Sequence, residues 1–590
     1  MQQTARQNPK KVGENILLKL VRYLKEFRKQ VIIGPLFKLT EAIFELIVPL
    51  LMAKIIDDGV ARGDLPYVLK TGAVIVLLGL VGLGCALICQ YSAARASQGV
   101  GTRLRHDLFA HVGTLSHAEI DKLGTSTLIN RIISDVNQLQ VAVAMLIRLV
   151  IRAPFLVIGS TVMAIWLDWK LSLIFLVAGP LVALVLYQVM KRTIPFYRTI
   201  QKKLDRIGLI TRENLEGARV IKAFSKQEHE NQRFYAASDD LAQSSVRVGK
   251  VSALLNPLTS IIVNFAIIAI LWFGGFRVDS GALTQGQIIA LVNYMTQILL
   301  ALVVVANLVV IFTKASASAS RVNEIFETEP SILPGGEESG LWGAAKVAFE
   351  GVSFAYSTGE NALEGIDLTV QPGQTVGIIG GTGAGKSTLV NLIPRFYDAT
   401  AGRVLIDGVD VRAYDTAALR KKIGIVPQKS VLFTGTVREN LRWGKPDASD
   451  EEIARALDIA QAAEFVAKLP QGYDTPILQG GKNLSGGQRQ RLAIARALVG
   501  RPDILILDDS SSALDYRTDA ALRAALAAQA GESTVFVVSQ RASAIRHADV
   551  IAVLDDGRLA GVGSHEQLLE SCPVYREICL SQLSEEEVSR

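Results

Sequence analysis

The chain has 590 residues, 49% of them hydrophobic and 20% charged, with a formal net charge of +6. At roughly 100–200 residues per domain this length holds several folding units, and so apolar a composition excludes a wholly water-soluble protein. The small positive balance makes no case for a nucleic-acid partner, because the basic residues lie in segments that connect apolar runs. Cys85, Cys89, Cys572 and Cys579 form no CxxC pair and have no His or Cys at zinc-binding spacing, so they read as packing residues.

The polar first residues lack the apolar core and cleavage site of a secretory signal. Residues 16–27 carry apolar side chains at helical spacing with Lys19, Arg22 and Lys25 between them, which predicts an interfacial helix on a membrane surface. Six apolar runs follow, at 30–58, 68–97, 136–166, 170–190, 251–276 and 284–313. Each is long enough for a bilayer-spanning helix, which needs about 20 residues. The connection after the fourth run is long and basic (Lys191, Arg192, Lys202, Lys203, Arg206, Arg212), and the one after the second carries Arg103, Arg105, Lys122 and Arg131. The other loops are short and poor in base, so both termini and the two long connections are expected on the cytoplasmic side. Helical patterning in those connections predicts spans that project well past the bilayer.

Charges inside the spans are informative. Glu41 and Glu45 lie one turn apart in the first run, and Arg148 and Arg152 one turn apart in the third. Intramembrane charges pair with one another or face a cavity. These four therefore predict either a polar patch in a substrate cavity, with Glu41 or Glu45 meeting a cationic substrate, or ion pairs between helices.

Apolar periodicity fades through 314–320, and a stretch rich in Glu, Pro, Ser and Gly follows. The division expected is a tail and elbow helix at 1–29, a transmembrane domain at 30–325, a linker at 326–344 and a second domain at 345–590. Beyond 345, short β runs alternate with Gly turns and helices, the punctuation of an α/β domain.

That domain carries the chemistry. A buried-type strand at 376–379 runs into Gly380-Gly381-Thr382-Gly383-Ala384-Gly385-Lys386-Ser387-Thr388 and then a helix. This is a complete phosphate-loop pattern in its strand–loop–helix setting. Its glycines let backbone N–H groups close on phosphates, Lys386 is placed for the β- and γ-phosphates, and Ser387 for Mg²⁺. The apolar strand 504–508 ends in Asp508, placed to hold Mg²⁺ directly or through water. ATP and Mg²⁺ are the expected ligands.

Leu484-Ser485-Gly486-Gly487-Gln488 then precedes a helix at 489–498. Kinases and GTPases have no such second glycine-rich element. With it, the chain resembles a bacterial ABC exporter half-transporter of the multidrug and lipid type over essentially its whole length. The resemblance implies an all-α six-helix transmembrane domain of exporter fold followed by an α/β phosphate-loop ATPase domain. It implies that two ATPase domains meet head to tail, each ATP gripped by the phosphate loop of one and the signature (Ser485, Gly486 and Gly487 here) of the other. By the same resemblance, Tyr356 stacks on adenine, and Gln428 ligates Mg²⁺ and senses the membrane domain. Ser512-Ala513-Leu514-Asp515 communicates across the dimer, and residues 117–131 and 216–224 are the loops that couple the two domains. The implied activity is ATP-driven export of small amphipathic molecules (drug, lipid or peptide) across the bacterial inner membrane, among membrane lipids. An ATP-gated channel or regulator on the same scaffold is the alternative.

Two departures from that family pattern fall in one site. The family places Glu after the strand aspartate as general base, and here the residue is Asp509. It ends the next strand with a His at the γ-phosphate, and here Gln540 stands there. Asp is one methylene shorter, and a displacement of about 1 Å can cost on the order of a hundredfold in rate. Gln cannot relay a proton, and losing acid–base catalysis costs about 10²–10⁴. The expected site holds ATP and turns it over slowly. A heterodimer follows, in which a partner half-transporter does most of the hydrolysis and this chain's signature completes the partner's site. A homodimer with two slow sites is the alternative. A third departure is Gln479-Gly480-Gly481, where exporters carry an acidic-Arg-Gly stretch.

Overall fold

The computed structural model describes residues 22–341, 343–356, 359–528 and 533–582. The chain divides into two compact units, one of Met1–Gly113 with Ser126–Glu327, the other of Thr114–Thr125 with Thr328–Arg590. Most of the interfacial helix expected at 16–27 lies outside the described residues. Its last turn, at 22–25, is helical, and the buried Tyr23 donates its hydroxyl to Asp107 Oδ2 at 3.0 Å.

The first unit is helical. Five helical stretches are long and apolar enough to cross a membrane: Leu65–Thr114, Thr125–Leu167, Trp169–Glu216, Gln227–Asp279 and Gln285–Glu327. Leu65–Thr114 and Trp169–Glu216 have 50 and 48 residues. At about 1.5 Å per residue they exceed twice the ~30 Å hydrocarbon thickness, as the helical patterning of the connections predicts. The first expected span is the 27-residue helix Arg28–Lys54, continued by a π turn at Ile55–Val60. It is long enough to span, but Lys38, Glu41 and Glu45 keep it out of the purely apolar class.

Two of the spans are interrupted, which the apolar pattern does not show. One helix stops at Arg148 and the next starts at Arg152, with Leu149 at φ −126° between them. Another break separates Gln227–Ala253 from Leu255–Asp279. Each break lies just ahead of a proline, Pro154 or Pro257, whose missing N–H leaves the carbonyl four residues earlier without its helical donor. Arg148 and Arg152 therefore flank a break rather than sharing one regular helix.

The intramembrane charges are mostly paired. Arg152 bonds Glu45 across helices at 2.7 Å, and Lys38 bonds Glu41 at 2.6 Å, while Arg148 takes part in neither pair. Small buried residues, among them Ala42, Ala164 and Ala290, let the backbones approach closely. Polar ties fix the helices where they meet. The buried Tyr294 donates to the Leu46 carbonyl at 2.6 Å, and Gln297 donates to the Glu45 carbonyl at 3.2 Å. Buried Asp168 caps Trp169–Glu216 by accepting from the backbone N–H groups of Lys170 and Leu171, and it also takes the Arg277 guanidinium.

The second unit is built on two main sheets. A six-stranded sheet has the order β12-β11-β3-β10-β9-β6, with β3 (Thr375–Gly380), β6 (Ile423–Val426), β9 (Ile504–Asp508), β10 (Thr534–Val538) and β11 (Val550–Asp555) parallel and β12 (Arg558–Gly563) antiparallel at the edge. Its central strands are almost wholly apolar and rich in Val, Ile and Leu, as burial on both faces requires. An antiparallel sheet of β1 (Val347–Ala355), β2 (Asn361–Val370), β4 (Ala401–Ile406) and β5 (Val409–Asp410) packs into the same core through Phe349, Ile366 and Ile406. A second core gathers Leu441, Leu457, Leu492 and Leu507 around the helix Gly486–Leu498.

Buried Asp168 offers the most direct test of these contacts. Asp168→Ala removes a helix cap and one partner of a largely buried ion pair, so it should destabilise by about 2–4 kcal/mol and lower the melting temperature in lipid nanodiscs. Asp168→Asn, which keeps the cap, should lose less.

Candidate nucleotide site

In an open parallel sheet, ligands bind outside the carboxyl ends of the strands. Here β3, β6, β9 and β10 release the chain at that edge into the phosphate loop, Gln428, Asp508 with Asp509, and Gln540 respectively. A cavity of about 290 Å³ collects them. It is lined by Tyr356, Ala362, Thr382, Gly383, Gly385, Lys386, Ser387, Thr388, Gln428, Asp508, Asp509, Val538, Ser539 and Gln540. Sequence reasoning missed Ala362, which belongs to β2 and carries no polar side chain to flag it.

Local conformation explains the glycines. Gly385 caps the helix Lys386–Leu392 with φ +92°, and a Cβ there would stand 2.6 Å from the Ala362 carbonyl oxygen. A side chain would be strained in angle and blocked in space. The loop so formed buries Lys386, whose Nζ donates to the carbonyls of Gly380 at 2.9 Å and Gly381 at 2.6 Å. Burial holds the Lys386 ammonium below its ordinary value, opposed by the nearby Asp509 and Asp508 carboxylates. Ser387 Oγ donates to Asp508 Oδ1 at 2.9 Å. Asp508 is pushed above the usual carboxylate range, chiefly by burial and then by Asp509, against the pull of Ser387 and Lys386.

Asp509 lies in the left-handed region at φ +46°, a conformation Asp tolerates better than most residues. Its backbone is fully engaged: its N–H donates to the Val538 carbonyl at 3.0 Å, and its carbonyl accepts from Ser512 Oγ at 2.9 Å. Gln540 is exposed, and its carbonyl accepts from Gln582 Nε2 at 2.8 Å. Among the described residues lining the cavity there is no Glu and no His. The hydroxyl, carboxylate and amide oxygens of Ser387, Asp508 and Gln428 are hard donors, the set that suits Mg²⁺. Tyr356 is half-exposed. Its hydroxyl lies 3.1 Å from Thr388 Oγ1, and its ring meets Phe354 and Tyr397 edge-on at 4.8 and 5.5 Å.

The signature residues Leu484, Ser485, Gly486, Gly487 and Gln488 are not brought to this cavity. Ser485 caps the helix Gly486–Leu498, exchanging bonds with Gln488 in a capping box, and Ser485 and Gly486 are exposed. The helix therefore presents free N–H groups and its positive dipole end outward. Just before it, Gly480 and Gly481 both stand at φ +67°, and Arg489 Nη1 donates to the carbonyls of Gly481 and Leu484 at 3.3 and 2.8 Å. Ser512, Ala513 and Leu514 form a turn, with Leu514 buried, and Asp515 caps the helix Tyr516–Ala527.

Asp508 carries a stability consequence. A raised folded value means that its contribution to stability is present below the ordinary carboxylate range and is lost as pH rises through that value. Asp508→Asn should therefore raise the melting temperature of the nucleotide-free chain at pH 7. The gain should shrink toward zero as pH falls below about 4. A variant that melts lower at pH 7, or with a pH-independent difference, would contradict the assignment.

Comparison with known proteins agrees with this geometry. Residues 31–302 match the ABC transporter transmembrane region and residues 363–512 match the ABC transporter domain. An uncharacterized ABC transporter ATP-binding protein of Mycobacterium tuberculosis is 40% identical over 96% of this chain and 98% of its own length. The Bacillus subtilis ABC transporter ATP-binding protein YfiB is 37% identical over 96% and 99%. An ATP-dependent lipid A-core flippase of Chromobacterium violaceum is 34% identical over 97% and 98%. The solved structure of a bacterial Atm1-family ABC exporter with ATP bound superposes with a TM-score of 0.80, at 27% identity, covering 95% of this chain and 100% of that one. The chain belongs to the ABC transporter family, as an exporter-type half-transporter with a multi-pass transmembrane domain followed by an ATPase domain.

Proposed function

We propose that this chain is the slow-hydrolysing subunit of a heterodimeric exporter of the bacterial inner membrane, with both termini cytoplasmic. The observation that carries this reading is the make-up of the phosphate-loop cavity, where among the described residues Asp509 is the one carboxylate besides Asp508 and no imidazole lines the wall. Asp508 is already bonded to Ser387. Asp509 has a short side chain on a backbone anchored at both its N–H and its carbonyl, so the carboxylate has little freedom to advance toward a water.

Binding and turnover thus separate. Lys386 and the loop N–H groups hold the β- and γ-phosphates, Tyr356 stacks on adenine, and Ser387, Gln428 and Asp508 hold Mg²⁺. That ion neutralises phosphate charge when bound. Asp509 and Gln540 supply poor activation of the attacking water. The outward-facing Ser485, Gly486 and Gly487 serve the γ-phosphate of a partner's ATP, as an exposed helix N-terminus can. Ser512 to Asp515 lie beside Asp509 in the chain and report across the dimer. The short helix Ala218–Ala223, flanked by exposed Leu215 and Phe224, docks on an ATPase domain of the dimer.

Substrate class rests on the first unit. An apolar groove of about 480 Å³ between Trp169–Glu216 and Gln285–Glu327 is lined by Leu186, Tyr187, Leu302 and Val309, with Lys191 among them. It supports an amphipathic cargo such as a lipid. The relatives named as lipid A-core flippases support the same class. Glu41 and Glu45 already hold basic partners, which weakens the expectation of a cationic substrate at either.

The purified chain alone should hydrolyse ATP slowly while binding it well. Asp509→Glu with Gln540→His should raise that rate by about 10²-fold, and Asp509→Asn should change it little. Brisk ATPase of the chain alone, abolished by Asp509→Asn, would support a working homodimer instead.

A further inference from the structure

We infer that Tyr397 is a positioning residue that makes adenine stacking on Tyr356 readable at the short helix His117–Leu123, between two membrane-spanning stretches. The inference rests on the proposed nucleotide site and adds a physical route out of it.

The route starts from local sequence. Ser116 and Glu119 cap the helix reciprocally, and Gly124, at φ +78°, ends it. This fixes a rigid element of two turns, tied to the ATPase unit by Ser116 Oγ against Ser331 Oγ at 2.9 Å. His117 and Asp121 are one turn apart and so share a face. Both meet the aromatic pair that follows the phosphate-loop helix. The His117 ring stacks on Phe396 with centroids 4.4 Å apart and planes at 27°. The Tyr397 hydroxyl donates to Asp121 Oδ2 at 2.7 Å. Arg420 covers Phe396 at 5.6 Å.

Tyr397 also touches the wall of the nucleotide cavity through Tyr356. Its ring meets Tyr356 edge-on at 5.5 Å and 81°, and Phe354 at 5.5 Å. Tyr356 in turn lies against Thr388, next to Ser387 of the phosphate loop. One side chain therefore contacts the stacking ring with its own ring and the helix with its hydroxyl. A base stacked on Tyr356 restricts that ring, which restricts the rotamers open to Tyr397, and these in turn set the Asp121 bond. The contact carries no chemistry and touches no phosphate. It acts on the helix through Asp121.

Hydrogen–deuterium exchange of the full chain in lipid nanodiscs, with and without ATP and Mg²⁺, tests this. In the unaltered chain ATP should slow exchange in peptides covering both 380–388 and 116–124. Tyr397→Phe keeps the ring and removes the hydroxyl. It should bind a fluorescent ATP analogue within about twofold of normal and keep protection at 380–388, yet lose the ATP-dependent protection at 116–124 by about fivefold or more, the range of ordinary coupling energies. Asp121→Ala should behave likewise, and Asp121→Asn, which retains an acceptor, should keep most of the effect. Unchanged ATP-dependent protection at 116–124 in both Tyr397→Phe and Asp121→Ala would overturn the inference, as would no ATP response there in the unaltered chain. No ATP-induced protection at 380–388 would instead overturn the nucleotide-binding reading and this inference with it.

Discussion

The ATPase unit depends on one arrangement: a lysine ammonium buried at the carboxyl edge of a parallel sheet, held by the carbonyls of its own loop and facing two carboxylates. Lys386 can sit there because Gly383 and Gly385 turn the chain in the left-handed region and because β3 and β9, both flanking β10, deliver the loop and Asp508 to the same edge. The desolvation that holds Lys386 below and Asp508 above their ordinary values is the same desolvation that strengthens each contact with phosphate and metal. Such a pocket is costly without nucleotide and favourable with it, which is the physical basis for ATP stabilising one state of the dimer.

Holding ATP and activating water are separable demands, and on the proposed reading the cavity meets the first far better than the second. On that reading phosphate is gripped by backbone N–H groups and Lys386, and Mg²⁺ by Ser387, Gln428 and Asp508, none of which departs from the family pattern. The groups that would orient and deprotonate a water are a shortened carboxylate and an amide. The exposed Ser485 helix end adds asymmetry of another kind, since the element proposed to complete a partner's ATP site does not line this chain's own cavity. In the proposed heterodimer, one subunit times closure by binding while the other resets it by hydrolysis.

Much of this was legible in the sequence, for identifiable reasons. The strands β3 and β9 and the phosphate-loop helix stand where the glycine pattern and the apolar runs ending in Asp place them. The helix after Ser485 begins at Gly486 rather than at the expected 489, because Ser485 and Gln488 form a capping box. The helix breaks at 149–151 and at Leu254 were missed because hydropathy carries no backbone information; Pro154 and Pro257 were the available signals. Pairing of Glu45 with Arg152 depends on which helices are neighbours, which no one-dimensional pattern contains. The aromatic contacts of Tyr397 escaped for the same reason: nothing in the local pattern at Phe396 and Tyr397 points to His117, some 280 positions earlier, which stands against both rings.

The central claim is that nucleotide at Lys386 persists as triphosphate. The direct measurement is to load the purified transporter with radiolabelled azido-ATP, let it turn over, crosslink at intervals, separate the two subunits and identify the nucleotide attached to each. The account predicts that label on this chain remains triphosphate over many turnovers while label on the partner becomes diphosphate. Diphosphate appearing on both subunits at the same rate would contradict it.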